Sequence, residues 1–191
     1  VKSPRALRAA LRKIGAVPLS GTAVRLVDEK WSLPEDVISG EGARTKGGRY
    51  NAPGSFRAVY LTENAEVGLV EIGFPISAGG QYALENAVRV TVVPVRFRLA
   101  RALNLCDYEV RIRLGTDADE IKLPLELFEA KGQRTPTQIL GHAVFKEGWS
   151  AIQYPSRHDS EVCNLVVFPD NLSEGEYLHP QKPKRQTTRL A

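Results

Sequence analysis

SGEGARTKGGRYNAPGSFRAVYLTENAEVGLVEIG, residues 39–73, joins a glycine-rich segment with three arginines to a short strand pattern and then to Glu71, a glutamate inside an apolar run. Glycine has no Cβ, so a backbone rich in it can approach a ligand closely. Arginine forks match phosphate oxygens in pairs. The stretch reads as a ligand cradle followed by a reactive carboxylate. Local composition alone equally admits a glycine-punctuated surface loop with solvated arginines.

Working outward, Arg57–Leu61 is predicted as a strand. Thr62 is placed to cap a helix that runs to about Gly73, with Glu63 and Glu66 in its first turn. Upstream, 22–27 (TAVRLV) reads as a strand with Arg25 at its centre, turned to solvent or held for a ligand. Before it, Ser3-Pro4 starts an amphipathic helix over 3–15. Leu7, Ala10, Leu11 and Ile14 form its apolar face, its arginines are read as solvated, and Gly15 caps it. Downstream, 86–95 and 102–105 read as separate strands, and 107–114 as a brief helix. Thr135-Pro136 opens another helix, ended by Gly148, and the strands 149–154 and 164–168 close the domain.

Short strands mixed with helices, without regular βαβ alternation, predict an α+β fold. A dinucleotide-binding parallel sheet is disfavoured, because no GxGxxG sits between a strand and a helix. The chain has 191 residues, 42% hydrophobic and 25% charged, which suits one domain over 1–172 with its core at about 22–170. From 173 to 191 it reads as a basic flexible tail. There is no apolar run of membrane-spanning length.

The net charge of +4 is carried by the two ends. Residues 1–25 and 177–191 contain bases and no acid, whereas the middle holds all 22 acidic residues against 16 basic ones. A nucleic-acid-binding body is therefore disfavoured. Cys106 and Cys163 are isolated in sequence and read as small buried residues of a reducing cytoplasm rather than as a disulfide framework. No HExxH, Walker A or GxSxG motif occurs, so metal-dependent and serine-hydrolase chemistry has little support. The turn Tyr154-Pro155-Ser156-Arg157 offers a hydroxyl and a guanidinium where ligand contacts are common.

Gly40-Glu41-Gly42-Ala43-Arg44, Gly47-Gly48-Arg49-Tyr50-Asn51, Ala58-Val59-Tyr60-Leu61 and Glu71 together resemble the RES domain. Thr137-Gln138, Leu140-Gly141, Tyr154-Pro155-Ser156 and Asn164-Leu165 resemble its C-terminal half. The resemblance implies an α+β fold similar to the diphtheria-toxin type of ADP-ribosyltransferase, with a mainly antiparallel β core flanked by helices. It implies a bacterial, cytoplasmic toxin that consumes NAD as a substrate, without metal or other cofactor, and passes ADP-ribose to water, phosphate or a protein. An Xre-type helix-turn-helix antitoxin that occludes the NAD pocket is the implied partner, with no direct binding to nucleic acid or membrane.

Carried over by position, Glu71 is the implied catalytic carboxylate, Arg49 holds the pyrophosphate or ribose side, and Tyr60 stacks on the nicotinamide end. Arg25, Arg44, Gly48, Tyr50, Asn51 and Ser156 are the implied NAD-binding residues. The other readings are a non-catalytic module that binds nucleic acid or a partner, and an RNA-cleaving toxin. The first is disfavoured by the charge split. The second lacks an acid–base pair around a basic groove.

Overall fold

The computed structural model describes residues 3–71, 90–123, 128 and 132–182. Six strands form one strongly curved sheet: β1 (Val17–Asp28), β2 (Val59–Thr62), β3 (Val90–Asn104), β4 (Ala151–Pro155), β5 (Cys163–Val167) and β6 (Tyr177–Pro180). Their order is β1-β2-β5-β4-β3-β6, and β1 also pairs with β3. The first five strands thus close into a ring, with β6 on the outer edge of β3. All ladders are antiparallel except β3–β4. The fold is α+β, as predicted.

Alternation along the strands builds two cores. Val59, Leu61, Ala151, Leu165 and Val167 face one, inside the ring, with Ala23, Val93 and Val95. Ala58, Ile152, Tyr154, Val166 and Phe168 face the other, which is covered by helices. Those helices are α1 (Pro4–Leu11) and α7 (Pro136–Lys146), with α5 (Tyr108–Leu114) and α6 (Ala118–Lys122) beside them. Helix α7 starts with a full capping box, in which Thr135 and Gln138 satisfy each other's backbone amides. Short helices α2 (Pro34–Ser39), α3 (Glu41–Lys46) and α4 (Ala65–Glu71) lie between β1 and β3 in sequence.

Several expectations need correction. Helix α1 is shorter than 3–15, and Gly15 is not in the left-handed conformation that a glycine cap uses. Its arginines are not simply solvated, because Arg8 and Arg12 both pair with Glu147, at 2.6 and 3.0 Å. The cradle is not all loop, since 41–46 coil into α3 between Gly40 and Gly47, both with positive φ. Asn64, not Thr62, caps α4: its Oδ1 accepts from the amides of Glu66 and Val67. The expected strand at 102–105 is the end of β3, which runs through Pro94 without a break because only local pattern suggested one. The parts of these readings that fall on 72–89 and 124–127 lie outside the described residues.

The tail also differs from expectation. Tyr177–Pro180 form β6, with Leu178 buried in the ring core, so the chain from 173 is ordered to at least Gln181. Leu178 is the one buried side chain of the strand. Glu176 fastens it, accepting from Ala100 N at 2.5 Å and Ser173 N at 2.7 Å. The Ala100 amide lies where the β1–β3 register shifts, which would otherwise leave it unpaired. Residues 183–191 lie outside the described residues.

Candidate active site

A cavity of about 510 Å³ opens between the cradle, the middle of β1, β2, α4 and the turn after β4. Four cationic side chains line it, Arg25, Lys46, Arg49 and Arg157, against one carboxylate, Glu71, with Tyr60 in the wall.

Glu71 is the last described residue of α4. A Cβ on Gly68 would run into Leu26 and Thr62, so glycine lets this helix seat directly on β1 and β2. Oε1 of Glu71 accepts two hydrogen bonds, from Ser156 Oγ at 2.6 Å and Asn164 Nδ2 at 2.7 Å. Both donors are fully buried, and the β4–β5 ladder fixes them relative to each other. Ser156 is itself held, with its amide donating to Val162 O and its Oγ accepting from His158 N. The carboxylate is therefore oriented rather than mobile, although its side chain is exposed to the cavity.

Arg25 donates from Nη1 to Tyr60 O at 2.7 Å, while its buried Nε has no hydrogen-bond partner. Burial pulls the guanidinium down from its ordinary value, and the Tyr60 and Tyr154 hydroxyls act the other way. A guanidinium stays charged even so. A desolvated cation beside an open cavity is suited to an anionic ligand. Arg49 is aimed by donating from Nη1 to the carbonyls of Ile121 (2.5 Å) and Leu123 (3.1 Å) at the C-terminal end of α6.

The Tyr60 hydroxyl accepts from Tyr50 N at 2.9 Å and donates to Asn51 Oδ1 at 2.7 Å. Burial pushes it well above the ordinary tyrosine range, so it stays protonated. Its ring, not its oxygen, is what the wall presents. Gly48 lines the cavity because a Cβ there would lie 2.7 Å from Tyr60 Oη.

Four implied NAD-binding residues do not line the cavity. Tyr50 and Asn51 are fully buried; Tyr50 packs on Tyr154 with ring centroids 4.7 Å apart, and Asn51 ties the cradle to Ala43 O. They build the wall, because the cradle folds back on itself and turns them inward. Arg44 is exposed and pairs with Glu41 at 2.6 Å, one helical turn away on α3, which turns it from the cavity. Ser156 acts on Glu71 rather than lining the cavity. Lys46 and His158 are not among the expected site residues, and Asn164 is expected only as part of the closing strand. Lys46 joins the site only because α3 is a helix, and Asn164 only through strand register. Among the described residues, no group of three or more His, Cys, Asp or Glu side chains is arranged to hold a metal ion.

The RES domain matches residues 22–189. The chain belongs to the RES-domain family. The NAD(+) phosphorylase MbcT of Mycobacterium tuberculosis (strain ATCC 25618 / H37Rv) is 38% identical over 89 residues, 45% of this chain and 47% of that protein. The protein of the same name from Mycobacterium bovis (strain ATCC BAA-935 / AF2122/97) matches to the same extent. The match spans about half the length of these relatives. The crystal structure of the M. tuberculosis MbcT–MbcA toxin–antitoxin complex contains a chain of similar fold. Its TM-score is 0.66 at 22% identity, covering 94% of this chain and 91% of that one. No helix among the described residues is long and apolar enough to cross a membrane.

Proposed function

We propose that this RES-domain protein is an NAD-consuming toxin of a toxin–antitoxin pair, which cleaves the bond between nicotinamide and ribose. The observation that carries the reading is the single braced carboxylate, Glu71, facing a cavity whose other charged side chains, Arg25, Lys46, Arg49 and Arg157, are cationic. A dinucleotide needs such a division. Its pyrophosphate calls for guanidinium and ammonium groups, and its reacting ribose gains positive charge as the bond breaks. Nicotinamide leaves as a neutral molecule from a cation, so no general acid is required. Glu71 stabilises the oxocarbenium-like state and holds a ribose hydroxyl; Arg25 and Arg49 bind the pyrophosphate; the Tyr60 ring stacks on the nicotinamide end.

The acceptor of the ADP-ribosyl group is phosphate in this reading, in keeping with the name of the mycobacterial relatives. Water or a protein side chain would need the same cavity. The ring of strands is of ADP-ribosyltransferase type, and an Xre-type antitoxin closes the cavity in the bacterial cytoplasm.

The test follows NAD by chromatography with purified protein, with and without phosphate, and again with lysate. Phosphate-dependent loss that Glu71→Gln abolishes, without unfolding, is the expected result. Loss without phosphate would mark a hydrolase, and loss only with lysate and labelling of a protein would mark a transferase. Undiminished consumption by Glu71→Gln would remove the central role assigned to that residue. An antitoxin complex that turns over NAD as fast as the free protein would remove the occlusion.

A further inference from the structure

Cys106 and Cys163 are 57 positions apart in the chain, yet their sulfurs face each other at 2.8 Å. Both are free thiols and half-buried. Neither lines the cavity around Glu71. Each is presented by an anchored backbone. Cys163 opens β5, with its amide donating to Glu63 Oε2 and its carbonyl accepting from Glu63 N, both at 3.2 Å. Cys106 follows β3, with its amide donating to Asn104 Oδ1 at 2.9 Å and its carbonyl accepting from Arg111 Nη1 at 3.0 Å. A disulfide places its sulfurs about 2.05 Å apart, so closure asks for a movement of less than about 1 Å.

We propose that Cys106 and Cys163 are a redox pair, which hydrogen peroxide closes to an intramolecular disulfide and thiol reductants reopen. One sulfur attacks a peroxide oxygen, giving a sulfenic acid and one water. The second sulfur then displaces the hydroxyl as a second water. Two thiols and one peroxide thus give one disulfide and two waters. Burial, and the Cys163 thiol beside it, push the Cys106 thiol up. Reopening is thiol–disulfide exchange, which returns both protons to the pair.

The bond would tie the exit of β3 to the start of β5 and restrict the unfolded chain over the intervening loop. It leaves the site alone, because Asn164, the neighbour that holds Glu71, points to the opposite face of β5. The pair is independent of the NAD reading, so the failure of either leaves the other standing.

The experiment treats the purified full chain with hydrogen peroxide, blocks remaining thiols with an alkylating agent, and weighs and melts the product. A monomer about 2 Da lighter with no alkylated cysteine is expected. Its Tm should rise by roughly 5–10 °C, an increase that dithiothreitol reverses and that Cys106→Ser and Cys163→Ser each abolish. Two alkylatable thiols after peroxide, oxygen retained on a single sulfur, or a bridge between two chains would each overturn the pairing.

Discussion

Ser156 Oγ donates to Glu71 Oε1 at 2.6 Å across 85 positions of chain, and Asn164 Nδ2 reaches the same oxygen at 2.7 Å. Two buried donors on one hairpin fix a carboxylate carried by a helix from another part of the chain. Removing either should let Glu71 rotate without disturbing the cavity's cations. Ser156→Ala and Asn164→Leu are each expected to lower kcat for NAD loss by about 10- to 100-fold, with KM changed far less. A pure rise in KM would mean that these side chains bind substrate instead of orienting Glu71.

The Tyr60 hydroxyl is engaged on both sides, by Tyr50 N and Asn51 Oδ1. Tyr60→Phe leaves a buried donor and a buried acceptor unpaired and should cost about 1–3 kcal/mol in denaturant unfolding. The ring stays in place, so kcat should hold within a few-fold. Tyr60→Ala removes the ring and should lose activity as well. Equal activity losses for both variants would assign a chemical role to the oxygen.

Gly141 lies where α7 crosses the cradle, and a Cβ there would fall on the carbonyl oxygen of Tyr50. A backbone atom cannot swing aside as a side-chain tip can. Gly141→Ala gains helix propensity, but the overlap dominates, and a net loss of about 3 kcal/mol is expected. Calorimetry that finds the variant as stable as the parent would show that α7 can lift off the cradle.

Glu176 supplies a pH-dependent contribution. Burial pushes its carboxyl up from 4.5, but hydrogen bonds from Ser150, Ser173 and Ala100 outweigh it and hold the group down at about 2. Its folded value is below its unfolded value, so the stabilisation is complete above about pH 4.5 and is lost as the pH falls toward 2. The carboxylate is largely solvent-screened, and about 1 kcal/mol is a fair scale. Glu176→Gln should therefore be less stable than the parent at pH 7, and the gap should narrow by pH 2.5. A gap that widened in acid would contradict the sign.

Much of this protein was legible in its sequence. The apolar face of α1, the Thr135-Pro136 start of α7, the glycine cradle and the α+β mixture all rest on local signals: spacing, caps and φ preferences. Arg25 and Glu71 stand out locally as charges inside apolar runs, Arg49 is marked by the resemblance to the RES domain, and the three line one cavity. Residue type and short-range pattern report which side chain is unusual for its surroundings.

Tertiary structure alone decided the rest, because strand register is set by pairings far apart in the chain. Nothing near Asn164 shows that it will stand opposite Tyr154 and within reach of Glu71. Nothing near Tyr177 shows that β3 offers it an open edge. Cys106 and Cys163 look isolated until the ring of strands sets their sulfurs side by side. The sequence by itself determined which groups this chain carries and where its helices begin; the closure of the sheet determined which groups meet.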